Sequence, residues 1–259
     1  MRTNLLFAAL LLSGAAFAQS STAPVILKAP SDYYVNSVSA NGKWACGEYS
    51  LGEDNYYAFR WNLETGEIEM LSSNDISEAS AVTNDGVVVG NYVDRTYYDN
   101  GASFRAAGYW KDGSWHRLEI PEGTVQSSDA LSVTPDGDFI CGQVVTSPID
   151  CVGYIWKDGK IYKKLSTEKS RINHPAAVTP DGQIAVGYIQ DGGRRGCIWE
   201  ADGTITTLTD GQFGGALANK ISFDGKKMLY EGEHVIVDGR VGRYAIRDLA
   251  TRKDDVVFP

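Results

Sequence analysis

Four side chains able to bind a ligand or move a proton, Tyr34, Glu78, Asp129 and His174, each stand four residues before a repeated Val or Ile. Leu217 holds the fifth such position. Two carboxylates, an imidazole and a phenol gathered at one rim could hold a cation or a polar ligand, or act as acid and base. They gather only if the elements that carry them are arranged in a ring.

The carrier is a repeat. Five segments share one turn signature: Val38-Ser39-Ala40-Asn41-Gly42, Val82-Thr83-Asn84-Asp85-Gly86, Val133-Thr134-Pro135-Asp136-Gly137, Val178-Thr179-Pro180-Asp181-Gly182 and Ile221-Ser222-Phe223-Asp224-Gly225, with glycines 43 to 51 residues apart. Asn-Gly and Asp-Gly mark hairpins because these residues tolerate positive φ. A second glycine follows in four copies (Gly47, Gly90, Gly142, Gly187). An aromatic strand then ends at Trp61, Trp110, Trp156 or Trp199, where the fifth copy has Arg243-Tyr244-Ala245-Ile246. A further tight turn, such as Asp112-Gly113 or Asp158-Gly159, closes each unit.

One unit reads strand, turn, strand, loop, Trp strand, turn, strand; in the third copy these are residues 130–134, 138–145, 152–157 and 160–165. The predicted fold is therefore all-β, a β-propeller of five four-stranded antiparallel blades. The blades cover about residues 36–73, 79–120, 129–167, 175–210 and 216–258 of a single domain, 19–259. A sandwich or solenoid is the alternative. The repeated Trp is expected to wedge between blades. The innermost strands line a channel, so Tyr34, Glu78, Asp129 and His174 are the candidate ligand-binding residues of its rim, expected within about 10 Å of one another. The competing expectation is that they are solvated loop residues. Residues 24–30 and 255–258 compete to supply the outer strand of the last blade. The five blades either close alone or belong to a longer propeller.

The composition agrees: 28 Gly, 14 Tyr and 6 Trp in 259 residues favour short strands and tight turns over long helices. A net charge of −9 removes the electrostatic footprint of a nucleic-acid binder. Residues 1–18 read as a cleavable export signal. Arg2 precedes an apolar run over 5–12, and Ala16-Phe17-Ala18 forms a small-x-small cleavage site. No later stretch is apolar enough to span a bilayer. The expected location is periplasm, cell surface or outside the cell, as a monomer.

No catalytic signature, phosphate loop or dinucleotide fingerprint is present, and three His with four scattered Cys do not make a structural zinc site. No catalytic residue, metal or cofactor is assigned. Cys46 and Cys141 occupy equivalent positions on different blades, too far apart for a disulfide. All four cysteines, Cys151 and Cys197 included, are expected as free, buried small hydrophobes. A turn centred on Ser147-Pro148 would place Cys151 opposite Val144. The long loop over 92–104 carries Tyr97 and Tyr98, candidate contacts for a sugar or peptide, or else an aromatic loop packed on its own blade. Arg194-Arg195, in the corresponding loop of the fourth copy, is expected as a solvated tip.

Ala58-Phe59-Arg60-Trp61, and Val-Thr-x-Asp-Gly followed by Val-Gly over 82–90, resemble the HAF-type extracellular repeat of exported bacterial proteins and the wider periplasmic repeats built on a Pro-Asp-Gly turn. The resemblance covers about residues 36–249. Tyr57 stands where the triplet has His, and the later copies keep the Trp without the Ala-Phe pair. It implies a propeller scaffold and no fixed chemistry. Three functions follow as expectations. The first is a non-catalytic module binding a polysaccharide, peptide or protein ligand through its channel face. The second is a carbohydrate-active hydrolase with Glu78 and Asp129 as acid and base. The third is a structural segment of a larger surface protein.

Overall fold

Each turn signature closes through its own side chains. The hydroxyl of Ser39, Thr83, Thr134, Thr179 or Ser222 donates to the side-chain oxygen two residues on, that of Asn41, Asp85, Asp136, Asp181 or Asp224. The next glycine takes φ between 70° and 86°. The Thr134 and Thr179 hydroxyls hold the Asp136 and Asp181 carboxyls below the usual carboxylate range. The repeated carboxylate is thus consumed inside the hairpin.

These turns organise the computed structural model, which describes residue 30 and residues 32–258 apart from 53–54, 72–74, 98–103, 124, 166–169, 191, 209–216 and 238–239. The expected export signal, residues 24–29 and Tyr98 lie outside the described residues. Blade 1 contains β1 (Tyr33–Val38), β2 (Trp44–Ser50), β3 (Tyr56–Asn62) and β4 (Ile68–Met70). Blade 2 contains β5 (Ser77–Val82), β6 (Val88–Asp94), β7 (Phe104–Lys111) and β8 (Ser114–Arg117). Blade 3 contains β9 (Ser127–Val133), β10 (Phe139–Ser147), β11 (Asp150–Lys157) and β12 (Lys160–Leu165). Blade 4 contains β13 (Asn173–Val178), β14 (Ala185–Gln190), β15 (Arg194–Trp199) and β16 (Ile205–Thr207). Blade 5 contains β17 (Leu217–Ile221), β18 (Lys227–Val237), β19 (Arg240–Asp248) and β20 (Asp254–Phe258). Strands pair in sequence order within each blade, and a parallel bridge from Arg105 to Ser127 joins blades 2 and 3. The fold is a β-propeller. β20 supplies the outer strand of blade 5.

The innermost strands begin earlier than the sequence pattern places them, because each bulges once and then continues. The unpaired residues are Asn36, Ser80, Leu131, Ala176 and Asn219. Just before the bulge, the carbonyl oxygens of Tyr34, Glu78, Asp129 and His174 occupy the space that a Cβ would need on Gly47, Gly90, Gly142 and Gly187. That close approach is the reason for the second glycine. In blade 5 Tyr230 stands there, opposite Ala218. A bulge also corrects the expected register of Cys151. An irregularity between Val145 and Ser147 absorbs one residue, so Cys151 faces Val145 and Val152 faces Val144.

Trp110 packs in the apolar cluster between blades 1 and 2, Trp156 between 2 and 3, and Trp199 between 3 and 4. Each Trp therefore packs back against the preceding blade. Blades 4 and 5 share a cluster around Met228, Tyr230 and Leu249. Among the described residues no buried cluster joins blade 5 to blade 1, and Trp61 belongs to none. β1 accordingly leaves Tyr34, Val35 and Val38 exposed. All four cysteines are buried, unpaired thiols. Burial drives the Cys141 thiol up to about 12 and those of Cys46 and Cys197 higher still.

Candidate functional site

Antiparallel pairing puts the start of each innermost strand beside the end of its second strand, at one mouth of the channel. The register pairs Tyr34 with Glu48, Glu78 with Asn91, Asp129 with Gln143, His174 with Tyr188 and Leu217 with Glu231. Two concentric sets of side chains therefore frame this rim, one from each strand.

Three of the four expected rim residues fall in one hydrogen-bonded chain. Arg105, on β7, donates to Glu78 and, through Nε, to Asp129 Oδ1 at 3.1 Å. Asn91 Nδ2 donates to Glu78 Oε2 at 2.9 Å and to Asp129 Oδ1 at 3.1 Å. Gln143 Nε2 donates to Asp129 Oδ2 at 3.1 Å. A carboxylate only accepts, so the amide of Gln143 has one orientation, with Oε1 turned away from Asp129. That oxygen accepts from the Cys151 thiol at 2.9 Å and faces His174 Nδ1 at 2.8 Å. His174 must then carry its proton on Nδ1, which leaves Nε2 as a bare acceptor. Burial holds the imidazole below its ordinary pKa, against the pull of the Asp129 charge. His174 stacks on Tyr188 at 4.7 Å, and the Arg194 guanidinium lies over Tyr188 at 5.4 Å.

Tyr34 is the exception. It keeps its place at the rim of blade 1 but is 59% exposed. Blade 1 contributes Glu48 instead, whose Oε1 accepts from Asn36 at 2.9 Å while Asn36 also donates to the Ala79 carbonyl of blade 2. Burial raises the Glu48 pKa, with the Glu78 charge adding to it.

Asn36, Glu48, Asn91, Arg105, Gln143 and Tyr188 were not picked out by counting along the innermost strands. Four of them had a signal. Glu48, Asn91, Gln143 and Tyr188 each directly follow the second glycine, a place whose side chain must point to the mouth once the glycine packs against the rim carbonyl. Arg105 carries no repeat signal.

The loop after β6 is shorter than expected, because Tyr92, Val93 and Asp94 extend β6 and pair with β7. Tyr97 stacks on Phe104 at 4.0 Å with Arg117 over its ring, so it packs on blade 2 and is not brought to the rim network. Arg194 and Arg195 belong to β15, both exposed.

As chemistry, the rim offers fixed donors and acceptors more readily than free acid and base. Both carboxylates already accept from the same guanidinium and the same amide. Among the described residues no group of three or more His, Cys, Asp or Glu side chains could hold a metal ion.

No protein-family model matches this chain, and no curated protein matches it in sequence. It is similar in structure to TolB from Acinetobacter baumannii, with a TM-score of 0.51, 20% identity, and coverage of 71% of this chain and 45% of that one. It is similar also to a protein described as a TolB from Agrobacterium tumefaciens, with a TM-score of 0.56, 17% identity, and coverage of 87% and 80%. A weaker likeness, TM-score 0.47 at 12% identity, is to a periplasmic gluconolactonase of Pseudomonas aeruginosa, covering 89% of this chain and 72% of that one. At these identities the two TolB likenesses show the propeller fold and nothing more specific.

Proposed function

We propose that this chain is an exported, non-catalytic propeller that binds a polysaccharide, peptide or protein ligand through the channel mouth framed by Glu78, Asp129 and His174. The observation that carries the reading is the unbroken chain of hydrogen bonds from Glu78 through Arg105, Asn91, Asp129 and Gln143 to His174, spanning blades 2 to 4. Such a network fixes donors and acceptors before a ligand arrives, which lowers the ordering cost of binding. Arg105 keeps 47% of its side chain exposed, so its guanidinium can contact a ligand while still balancing both carboxylates. Exposed Tyr34 adds a stacking surface and His174 Nε2 an acceptor, both suited to sugars or peptides. Export rests on the leader-like residues 1–18, and the HAF-type resemblance belongs to the same proposal. Among the described residues no helix is long and apolar enough to cross a membrane.

The hydrolase alternative needs one carboxyl to deliver a proton, whereas Glu78 and Asp129 are both committed as acceptors to Arg105 and Asn91.

The test is a glycan-array and polysaccharide pull-down screen of the purified protein beside Glu78→Ala and Asp129→Ala. Loss of a retained ligand in both variants is the expected result. Binding that survives both substitutions moves the site away from this mouth.

A further inference from the structure

The opposite mouth of the channel, on the side of the five turn signatures, has a different chemistry that the repeat exposes. The residue before each repeated Val or Ile faces this mouth. In four blades it is small (Ser37, Ala81, Ser132, Ala177), and in blade 5 it is Lys220. All five line a cavity of about 310 Å³ with the apolar residues that follow them. Small residues on four blades leave the space, and a lysine on the fifth extends into it. The Lys220 charge acts on the buried thiols of Cys46 on blade 1 and Cys141 on blade 3, opposing the burial that raises both. Among the described residues it has no ion-pair partner, and no carboxylate lines the cavity.

A second departure from the repeat sits beside the first. Where the other turns carry Ala40, Asn84, Pro135 and Pro180, blade 5 carries Phe223, 60% exposed at the cavity edge. The turn needs neither residue, since four blades make it without them. Together they place one positive charge at the edge of a cavity lined by small, hydroxyl and apolar residues, with one aromatic face at its opening.

We propose that this mouth binds a small apolar monocarboxylate, with Lys220 pairing with the carboxylate and Phe223 and the channel valines covering the hydrocarbon. One ammonium neutralises one negative charge, and among the described residues no further Lys or Arg lines the cavity to match a dianion. The cavity volume lies in the range of small-ligand sites. The site shares no charged side chain with the rim network and stands apart from its proposed function.

Calorimetric titration of sodium octanoate, with 1-octanol as the uncharged control, into the purified wild type, Lys220→Met and Lys220→Arg tests this. The expected result is saturable one-to-one octanoate binding, weakened at least ten-fold in Lys220→Met and within three-fold of wild type in Lys220→Arg. Octanol should bind all three proteins equally weakly. Thermal melts establish that each variant is folded, and Lys220→Gln replaces any that is not. Absence of saturable octanoate binding to the wild type, or equal affinity for wild type and Lys220→Met, overturns the inference. Glycan binding retained alongside that failure would leave the reading of the far mouth standing.

Discussion

The two mouths of the channel are built from the same five strands and differ in nearly every chemical respect. At the rim where the innermost strands begin, the repeat positions hold Glu78, Asp129 and His174, bound into one network with Arg105. At the turn side, the equivalent positions hold small and apolar residues, broken once by Lys220. A bulge separates the two ends of every innermost strand. The backbone repeat fixes where a side chain points, and each blade is then free to choose what it points with. Specialisation appears as departures from the repeat set on an invariant frame.

The largest blow to the polar mouth should come from the frame. Gly90→Ala drives a methyl group into the Glu78 carbonyl, which is backbone and cannot rotate away. A loss of about 3 kcal/mol in chemical denaturation is expected. Gly66→Ala, at a turn with open space, should cost only about 1 kcal/mol despite its positive φ. Similar losses at the two positions would mean that the bulge does not define the rim.

Removing the shared cation should cost less. Arg105→Met leaves Glu78 and Asp129 facing one another, with about 1–2 kcal/mol lost, a figure kept low because Arg105 is partly solvated. Adding Glu78→Gln and Asp129→Asn should recover most of it. If the triple variant is no more stable than Arg105→Met, the three groups are not balancing one another.

A smaller effect should appear with pH. His174 has a lowered folded pKa, so below about 6.5 the unfolded chain takes a proton that the folded chain refuses. The imidazole contribution is therefore complete above the unfolded pKa and declines as pH falls toward the folded one. The stability difference between wild type and His174→Gln should shrink from pH 7.5 to pH 5.5 in urea melts; a pH-independent difference would sink the assignment. Lys220→Met should change stability least, within about 0.5 kcal/mol, because the ammonium is open to solvent and unpaired among the described residues. A larger loss would make Lys220 part of the scaffold.

Much of this was legible in the chain. The turn signatures specify their own hairpins through local Ser/Thr-to-Asp hydrogen bonds, so five in phase announce the blades before any long-range contact is considered. Counting within the repeat led to Glu78, Asp129 and His174 because strand register is a sequence property once the turn is fixed. Tyr34 shows the limit of counting. The same register position lies on blade 1, which among the described residues shares no buried apolar cluster with blade 5, and its side chain stays in solvent. Arg105 was invisible for another reason. It sits on a third strand and reaches the rim across a junction between blades, which depends on how sheets pack. The close approach behind Gly47, Gly90, Gly142 and Gly187 needed the carbonyl positions, although the recurrence was plain. The placement of Cys151 missed by one residue because bulges are local accommodations that a hairpin count does not carry.

The central claim is that the rim network is preset, with Gln143 holding His174 in a single tautomer. Nitrogen-15 NMR of the imidazole in the ligand-free protein at pH 7.5 tests it most directly, since the two ring nitrogens report which one bears hydrogen. The expected spectrum shows a neutral ring protonated on Nδ1 alone, unchanged in a Tyr34→Phe control and lost from its fixed tautomer in Gln143→Ala. A wild-type ring protonated on Nε2, or exchanging freely between tautomers, would contradict the network and the binding site built on it.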